Sequence, residues 1–215
     1  MRSRLLSSAI YLAAGASGLL ALLYPFFQPA LQGGAAAPGQ LRAGEMPMLM
    51  TLLLGLCVVV LLAEAQGQAL STRLVALLGV LVALNSALRF LETAIPGPGG
   101  FSPVFFLIIL TGYVFGGRVG FLMGALTMLV SALVTGGVGP WLPGQMFTAG
   151  WVGMSTPLLR PLARGMQRLF RSKMTRPNFN PEILALILFS LGWGFLYGGL
   201  MNLWEWPFIA GPQAQ

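Results

Sequence analysis

Apolar residues fall into seven runs along this chain, at roughly 5–27, 47–66, 74–93, 103–116, 119–137, 145–160 and 182–204. Most of them approach the ~20 residues that an α-helix needs to cross the hydrocarbon of a bilayer. The run 103–116 is short, which predicts a helix that is tilted, broken or shielded by its neighbours. Polar residues do not alternate with apolar ones inside the runs, as a transmembrane barrel would require. The pattern predicts an all-α, polytopic transmembrane bundle of about seven spans. The first run follows Arg2 and Arg4, like the start of a signal peptide, but it is longer than the usual apolar region of one and reads as a retained helix.

Charge gives the bundle a direction. The stretch 160–176 carries Arg160, Arg164, Arg168, Arg171, Lys173 and Arg176 and no acidic residue. Short loops rich in Lys and Arg stay in the cytoplasm. With the amino terminus inside, Arg2, Arg4, Arg73 and Arg118 fall on the same side, and only Arg42 falls outside. The expected topology is therefore N-in, C-out. Tyr24, Phe26, Phe27, Trp141, Trp204 and Trp206 then lie at outer helix ends, where aromatic belts form. Residues 28–46, with the run QGGAAAPGQ, read as a flexible outer loop. They divide a two-helix preamble, 1–72, from a core, 73–215.

The third run carries two stripes. Asn85, Arg89 and Glu92 are spaced i, i+4, i+7 and share one helix face. Ala76, Gly79, Ala83 and Ala87 form another. Neighbouring members of the two stripes are two residues apart, about 200° around a helix of 3.6 residues per turn. Small residues at this spacing let another helix approach closely. Ionisable residues within a span face a cavity or a partner. Arg89 and Glu92 also fit an interfacial ion pair, whereas Asn85 sits deeper and favours a pocket.

Other polar groups are expected at the same outer level. The loop Ile95-Pro96-Gly97-Pro98-Gly99-Gly100-Phe101-Ser102-Pro103 is tight and unable to form regular structure, as a cap over a pocket would be. A second Gly/Pro loop, 136–144, places Trp141 beside Gln145 at the start of the sixth run. An aromatic next to an amide suits a planar or amide-bearing ligand; a belt tryptophan and a helix-start amide is the plainer alternative. The fifth run holds Gly116, Gly120 and Gly124 at spacing four, a close-packing signal. The seventh aligns Gly194, Gly198, Asn202 and Glu205, with Tyr197 and Trp204 beside them. Asn85, Arg89, Glu92, Trp141, Gln145, Asn202 and Glu205 are thus the candidate ligand-binding residues. On the inner side, Arg160, Arg164, Arg168 and Arg171, with Leu162, Met166 and Leu169 elsewhere on the turn, predict a short amphipathic helix on the anionic leaflet.

Composition narrows the function. The chain has 215 residues, 56% of them hydrophobic and 8% charged, with net charge +7. The cytoplasmic loops account for the excess, so nucleic acid is not an expected partner. There is no His and no Asp, and the glutamates are far apart in sequence. No metal-ligand set, Ser-His pair or phosphate-binding loop occurs, and neither an enzyme nor a resident cofactor is expected. Cys57, the single cysteine, reads as a buried small hydrophobe.

Two pieces carry a family resemblance: ALNSALRFLETAIPGPGGFSPVFFLIILTGYVFGGRVGFLMGALTMLVSALVTGGVGPWLPGQMFTAGWVG and FLYGGLMNLW. The stretch 75–202 resembles the S components of energy-coupling factor vitamin transporters, and looks most like the cobalamin-type or an otherwise unassigned branch. The resemblance implies a cell-membrane subunit that captures a vitamin from outside and topples against a transmembrane scaffold. Two partner ATPases would hydrolyse the ATP. Family members dock through an alanine-x-x-x-alanine face, which Ala83 and Ala87 match and Gly79 extends. The family core has six helices, whereas five follow the preamble here. Either a sixth core helix lies beyond residue 215 or a preamble helix takes its place. The alternatives to an importer subunit are a non-transporting assembly subunit, or a proton-coupled carrier built on Glu92.

Overall fold

The computed structural model describes residues 71–95, 102–139, 141–170 and 180–209, together with positions 15, 16, 18, 19, 23 and 55. Apart from those positions the two expected preamble spans lie outside the described residues, as do the loops 28–46, 96–101 and 171–179, Cys57, and the side chains of Arg168, Leu169, Glu205 and Trp206.

The described core is all helical. Its elements are α1 (Thr72–Ala94), α2 (Val104–Phe115), α3 (Gly117–Thr135), α4 (Leu142–Ser155), a 3-10 turn (Thr156–Leu158), α5 (Leu159–Phe170) and α6 (Pro181–Ile209). Among the described residues, Thr72–Glu92, Gly117–Thr135 and Glu182–Trp204 are long and apolar enough to cross a membrane; Val104–Phe115 is a shorter apolar helix. The expected sixth span, 145–160, is not one helix. Its α-helical turns end at Ser155 and the chain passes through Thr156-Pro157-Leu158 before α5 begins. Proline removes an N–H and clashes with the preceding turn, so an α-helix does not run smoothly through Pro157.

The core centres on α3 and α4. A Cβ at Gly124 would land on the Ala149 carbonyl, one at Gly120 on the Gly153 carbonyl, and one at Gly153 on the Gly120 carbonyl. Backbone thus lies against backbone, as small residues permit in membrane bundles. Gly112 brings α2 into the same junction, against Gly153 and Thr156. Gly116, the first member of the expected packing series, has another role. With φ +96° it forms the corner between α2 and α3, a conformation that L side chains rarely adopt.

Polar groups fasten the remaining helices. Asn85 Nδ2 of α1 donates to the Val104 carbonyl at 3.1 Å and to Thr127 Oγ1 of α3 at 3.2 Å. Trp193 Nε1 of α6 donates to Ser155 Oγ of α4 at 2.9 Å. Helix α6 is the more exposed: among its described side chains only Ala185 and Trp204 are buried, while Leu186, Phe189, Trp193 and Tyr197 are half-buried against the core. Before the core, Gly18 is buried, and a Cβ there would meet the rings of Phe147 and Trp151 on α4.

Candidate functional site

The inward stripe of α1 consists of Leu78, Val82, Asn85 and Ser86, all buried at helical spacing. Ala76, Gly79, Ala83 and Ala87 are exposed, and a Cβ at Gly79 would meet nothing within 4 Å. The small-residue stripe is therefore open to a neighbour. Asn85 is fully buried and its Nδ2 ties α1 to α2 and α3, while its Oδ1 has no hydrogen-bond partner among the described residues.

One and two turns further along the same face, Arg89 and Glu92 line a cleft. The cleft has a volume of about 860 Å³ and lies between the end of α1, the start of α2 and the middle of α6. Its polar groups are Arg89, Glu92, Ser102, Ser190 and Tyr197. Ser102 Oγ donates to Glu92 Oε2 at 2.8 Å, which fixes the carboxylate against the start of α2. Phe105 and Tyr197 meet edge to face, with centroids 4.7 Å apart and planes at 66°. The Tyr197 hydroxyl is buried and has no hydrogen-bond partner among the described residues. A buried polar group left unpaired is costly, so such a hydroxyl is a natural donor to a ligand. Gly194 and Gly198 contribute wall without side chains.

The other candidates lie elsewhere. Trp141 is exposed, and its indole N–H donates to the Gly137 carbonyl at 3.3 Å. Gln145 is half-buried on the first turn of α4, and Asn202 is exposed on α6, a turn beyond Gly198. Glu205 is in α6, with its side chain outside the described residues. Ser102, Phe105 and Ser190 are wall residues that helix spacing alone did not single out. Ser102 carried the one available signal, a hydroxyl ahead of the proline that opens a helix.

The family model for the S component of ECF-type riboflavin transporters matches residues 69–201. The chain belongs to that family. S components are the substrate-binding membrane subunits of ECF transporters, so this is a membrane transport subunit, in keeping with its three span-length apolar helices among the described residues. The match corrects the expectation of a cobalamin-type branch: the glycines and apolar residues behind that expectation report helix packing and loop shape, not the solute. Neither the curated proteins nor the solved structures gave a match.

Proposed function

We propose that this S component captures a flavin, riboflavin itself, in the cleft between α1, α2 and α6, and delivers it to an ECF scaffold with its two ATPases. The observation that carries this reading is the pairing of Arg89 and Glu92 on the wall of a largely apolar, aromatic-lined cleft. Its volume lies within the ~300–1,000 Å³ of small-molecule sites. An isoalloxazine ring is flat and apolar on its faces and carries an acceptor–donor–acceptor imide edge. Arg89 supplies donors to the carbonyl oxygens and Glu92 an acceptor for the imide N–H; charged partners strengthen such hydrogen bonds. Phe105, Phe106 and Phe195 offer ring faces and edges to the tricycle. Ser190 and the unpartnered Tyr197 hydroxyl suit the hydroxyls of a ribityl chain.

The positive-inside distribution puts the α1–α2 end of the cleft outside the cell, the side from which an importer must load. The exposed Ala76, Gly79, Ala83 and Ala87 stripe serves as the docking face toward the scaffold. Quenching of riboflavin fluorescence by the purified chain in detergent tests the substrate, with cobalamin as comparator. Saturable binding of riboflavin at micromolar concentration or tighter, without binding of cobalamin, is the expected result. Folded protein that prefers cobalamin, or binds neither, overturns the proposal.

A further inference from the structure

A second cavity, of about 450 Å³, lies at the opposite end of the bundle from Arg89 and Glu92. It is built where the end of α2, α5 and the start of α6 meet, and its wall includes Tyr113, Arg160, Arg164, Gln167, Asn180 and Glu182. Arg160 is held in place: its Nη2 donates to the Tyr113 carbonyl at 3.1 Å, and its guanidinium carbon lies 5.5 Å from the centroid of the Tyr113 ring. Asn180 Oδ1 accepts from the Glu182 N–H at 2.9 Å, which leaves the Asn180 amide nitrogen as a donor. Arg164 and Gln167 add further donors. Glu182 is the one carboxylate on the wall and opposes an anion there.

Exposed apolar side chains flank this cavity. Val114 and Phe115 on α2, Leu158 and Leu162 beside Arg160, and Ile183 and Ile187 on α6 are all exposed. Among the described side chains of α5, Leu159, Ala163 and Met166 are buried or half-buried, so the helix lies against the bundle while Arg160 and Arg164 stay exposed. Leu162, on another side of the turn from the arginines, is exposed at 44%. A polar, basic cavity flanked by exposed apolar side chains matches a lipid: a charged headgroup with acyl chains alongside.

We propose that this cavity binds the phosphodiester headgroup of an anionic phospholipid, with Arg160 and Arg164 as its cationic contacts and Gln167 and Asn180 as neutral donors. Two exposed cations beside apolar surface favour a lipid over a free anion, because the chains contribute binding that inorganic phosphate lacks. The arrangement anchors α5 at the interface and ties together the ends of α2 and α6.

The test uses the full chain in mixed micelles. Retained lipid is counted by native mass spectrometry and affinity read by titration with phosphatidylglycerol, phosphatidylcholine or inorganic phosphate. Phosphatidylglycerol should be retained in preference to phosphatidylcholine. Arg160→Gln and Arg164→Gln should each weaken it about fivefold, the contribution of one basic residue near an anionic surface. Glu182→Gln should tighten it, a gain that a merely damaged fold does not produce. Equal retention of both lipids, or inorganic phosphate competing at matched concentration, overturns the proposal. So does a double arginine variant that keeps its lipid but loses co-purification with the ECF scaffold, because the site then serves a protein.

Discussion

At the scale of single residues, one helix face divides its polar groups between two tasks. Asn85, Arg89 and Glu92 share a face by spacing alone, and that much was legible in the sequence. What each meets was not. Thr127 and Val104 stand 42 and 19 residues from Asn85, and they are what engage its amide nitrogen as an interhelical clamp. Asn85→Ala should destabilise the bundle by about 0.5–2 kcal/mol, the range for interhelical hydrogen bonds in membranes. Thermal unfolding in detergent checks this, and riboflavin affinity in the folded fraction should change little. Arg89→Ala and Glu92→Gln should do the reverse. Each should weaken riboflavin about tenfold or more, the effect of losing a hydrogen bond to a charged group, with little change in melting temperature. Tyr197→Phe is a sharper probe. Its hydroxyl has no partner among the described residues, so removing it should leave stability unchanged or raised, while any loss of affinity reports a bond to the ligand.

At the scale of elements, glycine spacing was readable but its meaning was not uniform. Gly120 and Gly124 sit where α3 and α4 touch through their backbones, whereas Gly194 and Gly198 open onto the cleft. The same residue type at the same spacing thus serves contact in one helix and empty volume in another. Only the neighbouring helix decides which. Gly124→Ala should destabilise by about 1–3 kcal/mol, because the added methyl meets the Ala149 backbone and α3 and α4 must separate. Gly198→Leu should be tolerated, since a Cβ there meets nothing within 4 Å, yet it should abolish riboflavin binding by filling the cleft. Melting curves and fluorescence titrations on the two variants separate these outcomes. The sixth run shows a different difficulty. Hydropathy is continuous across 145–160, but Pro157 lies inside it and divides a buried α4 from an amphipathic α5.

At the scale of the whole molecule, the outward direction of the Ala76, Gly79, Ala83 and Ala87 stripe follows from α1 burying its other side. An amphipathic reading based on polarity would miss this, because both sides of α1 are largely apolar, with Val80 and Leu84 exposed beside the stripe and Leu78 and Val82 buried. Gly79→Leu should leave the fold and riboflavin affinity intact and reduce co-purification with the scaffold and its ATPases. Expected depth in the membrane puts Trp141, Gln145 and Asn202 at one outer level but says nothing of the angle around the bundle. Among the described residues, the cleft draws on the sector where α1, α2 and α6 face one another.

The central claim is that this sector holds the substrate. A structure of the chain determined with riboflavin bound tests it most directly. The account predicts the isoalloxazine between α2 and α6, its imide edge within hydrogen-bond distance of Arg89 and Glu92. Riboflavin bound on another face of the bundle, with the Arg89–Glu92 cleft closed around side chains alone, would contradict it.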